Sequence, residues 1–133
     1  KIFQRVEGEV RSLHFVEDDE MVLGLDVKAL VYRQFCYNSM WIEIAVEKAR
    51  QEGIKAGLFR AITIWPFPEK AVAKLAKKVK AFVVPEVNLG QMIYEVERVA
   101  KREMPIVGVN KAGGVPISPN EILAKIKEVL KNA

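Results

Sequence analysis

Ala81-Phe82-Val83-Val84-Pro85-Glu86-Val87-Asn88-Leu89-Gly90-Gln91-Met92 reads as a strand, a turn and the start of a helix. The apolar run over residues 81–84 is of strand type and stops at Pro85. A polar turn containing Asn88 and Gly90 follows, and a helical pattern opens near Gln91. In an open α/β sheet such a turn lies beyond the carboxyl end of its strand, where ligands and partners are met.

Working outward, the same alternation repeats on both sides. Upstream, residues 55–64 carry Leu58, Phe59, Ile62 and Ile64 in a near-continuous apolar run that suits a strand covered on both faces. That run ends in Trp65-Pro66-Phe67-Pro68, with Pro68 placed for the first turn of a helix whose inner stripe is Val72, Leu75, Ala76 and Val79. Before it, Ser39 is positioned to cap a helix with Ile42, Ala45, Val46 and Ala49 on its buried face, and Gly53 is placed for a left-handed C-terminal cap. Downstream, Met92, Val96, Val99 and Ala100 make one helix stripe. Residues 106–109 make another short strand, and residues 110–114 a loop. The last helix opens on Ser118-Pro119-Asn120-Glu121, a capping box with proline at its first position, with Ile117 and Ile122 set for a hydrophobic staple.

Alternating strands and helices over residues 41–133 predict an α/β/α arrangement, a mainly parallel sheet covered by helices on both faces. Residues 1–40 are patterned poorly. The acidic run Glu17-Asp18-Asp19-Glu20 reads as a solvated loop, and the β-capable runs at residues 21–25 and 27–32 are expected to extend the sheet, one of them antiparallel. The whole chain is expected to be a single domain. Because it opens on Lys1 rather than methionine, a fragment or processed chain is expected.

Composition narrows the chemistry. Half of the 133 residues are hydrophobic, enough for a full core without covalent staples. A single cysteine, Cys36, excludes an internal disulfide and a multi-cysteine metal cluster, and favours a cytoplasmic setting. No apolar run is long enough to cross a membrane. Charged residues make up 29% of the chain, largely Lys and Glu, a balance found in proteins of hot environments. The net charge of +4 comes from lysines spread over helix faces without interleaved aromatic residues, which argues against nucleic acid as a partner. Lys70, Lys74, Lys77 and Lys78 read as a solvated helix face rather than a phosphate grip.

Catalytic residues are hard to find. His14 is the sole histidine and has no nucleophile near it in sequence, and Cys36 has no identifiable base. Lys111-Ala112-Gly113-Gly114 lacks the Gly-Lys-Ser/Thr that a phosphate loop requires and reads as a turn. Asn88, Gly90 and Gln91 have a better position, since free donors at a helix start can meet an anion. If the strands ending at Ile64, Val84 and Val109 are parallel, Trp65, Phe67, Asn88, Gly90, Gln91 and Asn110 gather at one edge of the sheet as candidate ligand- or subunit-binding residues. Trp65 and Phe67 then either anchor an interface or close the core beneath the loop. Asn88, Gln91 and Asn110 are uncharged groups able to fix the orientation of a partner.

Two separated motifs in register, Ile62-Thr63-Ile64-Trp65-Pro66-Phe67-Pro68-Glu69 and Phe82-Val83-Val84-Pro85-Glu86-Val87-Asn88-Leu89-Gly90-Gln91-Met92, resemble the C-terminal part of the alpha subunit of 2-oxoacid:ferredoxin oxidoreductases, most closely the 2-oxoglutarate type. The similarity extends over residues 44–130. It implies a three-layer α/β/α domain similar to the transketolase C-terminal domain, with a mainly parallel, mixed sheet of about five strands between helices. It also implies membership of a complex that decarboxylates a 2-oxoacid on thiamine diphosphate, passes electrons through iron–sulfur clusters to ferredoxin and makes an acyl-CoA. The chain departs from a complete alpha subunit in lacking the large thiamine-fold domain, and from the family in having no Gly-Ser or Gly-Thr turn between Leu25 and Met40.

The expected function is therefore that of an accessory, assembly domain, not catalytic alone, which binds no cofactor by itself. Thiamine diphosphate, magnesium and iron–sulfur clusters are expected in partner domains or subunits, with a beta subunit and a ferredoxin-like subunit as partners and contacts to CoA or the 2-oxoacid left open. The alternative is a small stand-alone α/β module that binds an anionic ligand at the helix start of residues 88–91. A nucleic-acid-binding protein is a second rival, recognisable by a steep salt dependence.

Overall fold

Short strands with apolar residues at every position bury both faces of a sheet, and the helices between them supply the cover. The computed structural model describes residues 29–34, 39–61, 67, 69–100, 104–111, 113 and 115–131. Within them the chain runs β1 (Ala29–Gln34), α1 (Ser39–Gln51), β2 (Ala56–Ala61), α2 (Glu69–Ala76), β3 (Ala81–Glu86), α3 (Met92–Ala100), β4 (Ile106–Asn110) and α4 (Pro119–Lys131). The strands lie in the order β2-β1-β3-β4, and all three pairings are parallel. Side chains alternate between two cores. Leu30, Tyr32, Phe59, Phe82 and Val84 pack under α2 and α3, while Ala29, Val31, Leu58, Ala81 and Val83 pack under α1 and α4. The chain thus has the three α/β/α layers that the alternation implies.

The described strands match the expected sheet in direction, and one of them differs in place. The described residues supply four strands, all parallel, of the mainly parallel sheet of about five that was expected. The run at residues 27–32 gives β1, which lies inside the sheet between β2 and β3 rather than extending an edge. The run at residues 21–25, and any antiparallel strand it would form, lies outside the described residues.

Pro85 does not stop its strand. β3 continues to Glu86, with Pro85 in register with Val109. The reason is parity. Phe82 N–H donates to Pro105 C=O and Glu86 C=O accepts from Lys111 N–H, so the even-numbered residues of β3 bond toward β4. Pro85 then faces the β1 side, where the register ends at Val31 opposite Val83. The missing N–H therefore removes no bond toward β4, and the pairing with β1 stops short of Pro85.

Helix ends follow their sequence signals. Gly53 has φ 83°, and its N–H donates to Arg50 C=O while Ile54 N–H donates to Ala49 C=O, a paired closure that only a left-handed residue permits at this place. At α4, Glu121 N–H donates to Ser118 Oγ at 3.2 Å and Ser118 N–H donates to Glu121 Oε1 at 2.9 Å. Ile117 and Ile122 lie buried in the same core cluster, as the staple requires. Lys127–Glu52 and Lys48–Asn120 contacts run between α1 and α4 on the outside.

Candidate functional site

β3 delivers its last residue, Glu86, under the start of α3. An α-helix begins with N–H groups that have no partner inside the helix, and its dipole makes that end positive. The Glu86 carboxylate fills this position. Gln91 N–H donates to its two oxygens at 3.1 and 3.0 Å, Met92 N–H to Oε1 at 2.9 Å and Ile93 N–H to Oε2 at 3.1 Å. Glu86 is 2% exposed and is the one buried charged residue among those described. The helix-start donors of Gln91, Met92 and Ile93 are thus taken by the chain's own carboxylate.

The turn between Glu86 and α3 is tied at two more points. Gly90 N–H donates to Asn88 Oδ1 at 2.7 Å, an Asx-turn, with Gly90 at φ 117° where an L side chain is strained. From the end of β4, Asn110 Nδ2 donates to Asn88 C=O at 3.1 Å. Gly108 makes room for this reach, since a Cβ there would lie 2.5 Å from Asn110 Oδ1 and 3.3 Å from Ile93 Cδ1. Parallel strands therefore do bring Asn88, Gly90, Gln91 and Asn110 together at the carboxyl edge of the sheet. Asn88 and Asn110 spend their amides holding the turn. Gln91 is bound through its backbone, and its side chain is exposed.

Phe67 lies elsewhere. It is 5% exposed and stacks on Tyr32 with ring centroids 5.9 Å apart, in the core beneath α2 and α3. Of the two roles open to it, closing the core is the one it performs. Trp65 lies outside the described residues, as do His14 and Cys36. Tyr32 also packs on Phe59 at 5.7 Å, and its hydroxyl is buried without a hydrogen-bond partner. Burial, then the negative charges of Glu86 and Glu95, push the Tyr32 phenol well above its usual range.

Glu86 itself was missed by the sequence reading, which placed it in the turn. Its signal was present: a single acidic residue closes an otherwise apolar strand just ahead of a helix start. Also unanticipated are the exposed apolar residues at this edge, Leu89 and Tyr94 beside the turn and Met40, Trp41 and Ile44 on the first turns of α1. A depression of about 350 Å³ between β4 and α4 is walled by Lys111–Glu121 and Lys125–Glu128 ion pairs at 2.9 and 3.2 Å. Among the described residues, no group of three or more His, Cys, Asp or Glu is placed to hold a metal ion, and no helix is long and apolar enough to cross a membrane.

Comparison with known proteins adds the relationships. The family model described as pyruvate:ferredoxin oxidoreductase core domain II matches residues 34–122. The chain is 44% identical over 128 residues to the 2-oxoglutarate synthase subunit KorA of Methanocaldococcus jannaschii, covering 92% of this chain and 32% of that subunit. It is 36% identical over 124 residues to the ketoisovalerate oxidoreductase subunit VorB of Methanothermobacter marburgensis, again covering 92% of this chain and 32% of the relative. The chain thus spans about a third of the length of these curated relatives. Among solved structures, the 2-oxoglutarate:ferredoxin oxidoreductase of Magnetococcus marinus, with 2-oxoglutarate, coenzyme A and succinyl-CoA bound, superposes with TM-score 0.67 at 21% identity, over 80% of this chain and 18% of that one. A split-gene transketolase, solved as an inactive β4 tetramer, superposes with TM-score 0.68 at 17% identity, over 78% of this chain and 38% of that one. At those identities the two structures speak to the fold alone, and that fold is transketolase-like.

Proposed function

The chain belongs to the pyruvate:ferredoxin oxidoreductase core domain II family, and from that premise we propose that it is an accessory, assembly domain of a 2-oxoacid:ferredoxin oxidoreductase subunit, of the 2-oxoglutarate type. The observation that carries this reading is the 44% identity to a 2-oxoglutarate synthase subunit across 92% of the chain. The geometry supports a binding rather than a catalytic role. The one buried carboxylate at the sheet edge is committed to four backbone hydrogen bonds. The nearby amides of Asn88 and Asn110 are committed to the turn.

Of the thiamine diphosphate, magnesium and iron–sulfur clusters that the family implies, the clusters do not fit the residues described. No cluster of ligating side chains is present among them, and a chain with one cysteine cannot supply the cysteine set of a cluster. In this proposal partner domains and subunits, including a beta subunit and a ferredoxin-like subunit, hold those groups and perform the oxidative decarboxylation to acyl-CoA. This chain supplies a rigid surface against which they assemble.

The test is an assay of the pure, metal-analysed chain with 2-oxoglutarate, CoA, a ferredoxin acceptor, thiamine diphosphate and magnesium. No turnover is expected. Turnover by this chain alone would overturn the accessory role.

A further inference from the structure

The turn held by Glu86 carries two side chains that the fold itself does not use. Leu89 is 83% exposed and Tyr94 is 62% exposed. Both belong to the turn and the helix start that follows it, a single platform of chain, and the Tyr94 ring lies beside Gly90, where a Cβ would be 3.9 Å from it. That platform is fixed from below by the Glu86 carboxylate, within by the Asn88–Gly90 bond and from β4 by Asn110. Residues 87–94 carry no charged side chain in a chain that is 29% charged. An apolar and aromatic pair on an uncharged, preorganised loop is the composition of an interface core, because little entropy is lost on docking and no charge is desolvated. A macromolecule able to bury it is indicated by length: the relatives' subunits extend well beyond the third that this chain matches.

We propose that Leu89 and Tyr94, raised on the Glu86-capped turn, anchor this domain in an uncharged apolar pocket of the polypeptide that completes the subunit. The proposal rests on the reading of the chain as a component of a larger oxidoreductase subunit.

The experiment expresses the rest of this chain's own subunit as a separate polypeptide and measures its binding to the full 133-residue chain by calorimetry. Leu89→Asp and Tyr94→Asp are each expected to weaken binding by about tenfold or more, as central anchors do. Their denaturant midpoints should remain at the wild-type value because both side chains are exposed. Leu89→Ser serves as a milder second variant with the same expected direction. Absence of wild-type binding would overturn the component reading and the anchor with it. Wild-type binding that survives both Asp variants would overturn the anchor alone. Loss of binding in Ile44→Asp with Leu89→Asp unaffected would also overturn it, by moving the interface to α1. Partition of the wild-type chain onto phosphatidylcholine vesicles, abolished by Leu89→Asp, would overturn the protein pocket in favour of a lipid surface.

Discussion

The Glu86 carboxylate accepts a hydrogen bond from Met92 N–H at 2.9 Å, six positions along the chain, in a part of the fold closed to solvent. A strand end and a helix start are thereby joined by one side chain, which both neutralises the helix terminus and sets the angle at which the chain leaves the sheet.

Glu86→Ala should therefore be among the most damaging single changes in this half of the domain. It removes the acceptor from three consecutive backbone N–H groups, one of them buried, at a cost of about 3 kcal/mol. Denaturant unfolding checks this, and a loss below about 1 kcal/mol would show that water or another group replaces the carboxylate.

Gly108 and Asn110 should behave as a coupled pair. Gly108→Ala pushes a methyl group into the space of Asn110 Oδ1, and Asn110→Ala breaks the tie to Asn88 C=O. Each is expected to cost about 1 kcal/mol or more. The double variant should cost less than the sum, because the clash vanishes with the amide. A double-mutant cycle showing strict additivity would contradict this.

How much of this was legible beforehand depended on how local the signal was. The capping box at Ser118, the left-handed cap at Gly53 and the buried stripe of α1 could be read because each is decided by residues within a turn or two of one another. Pro85 misled, since its effect depends on which neighbour strand its nitrogen faces, and that parity exists only once β1 and β4 flank β3. Glu86 was hidden for a similar reason. A carboxylate that looks solvated in a turn becomes a buried cap only when the helix start folds back over the strand end. The gathering of Asn88, Gly90, Gln91 and Asn110 followed from parallel topology alone, whereas the duties of their side chains did not.

At α4, Ser118→Ala should destabilise the domain by about 1 kcal/mol through loss of the cap. Glu121 adds a pH dependence. Hydrogen bonding to the Ser118 backbone, then the Lys111 ammonium, hold its carboxyl below the usual 4.5. A lowered folded value means that the unfolded chain takes up the proton first as pH falls. The stabilisation is then full above about 4.5 and is lost as pH drops through the lower folded value. Thermal midpoints recorded between about pH 5 and about pH 3 should fall less steeply in Glu121→Gln, and an unchanged slope would count against the cap's ionic character.

Tyr32→Phe should leave stability unchanged or raise it by up to about 1 kcal/mol, since the hydroxyl it removes is buried without a partner. In the wild type the raised phenol makes the unfolded chain release its proton first as pH climbs past the ordinary value of 10.0, so stability declines there. Phenylalanine should remove that part of the alkaline decline. A loss of more than about 1 kcal/mol on substitution would mean that the hydroxyl is bonded.

The placement of β1 inside the sheet has a consequence for the order in which the chain assembles. β1 with β2, and β3 with β4, each close through a single intervening helix, so both pairs are local and quick to form. Joining β1 to β3 must wait for a chain closure that skips a strand, and the ladder it forms runs only from Ala29 opposite Ala81 to Val31 opposite Val83. The β1–β3 ladder is therefore the shortest of the three and Pro85 keeps it from lengthening, while both side-chain cores continue across it. Partial opening short of full unfolding is expected to begin at that ladder, with amides on β1 and β3 exchanging together along it.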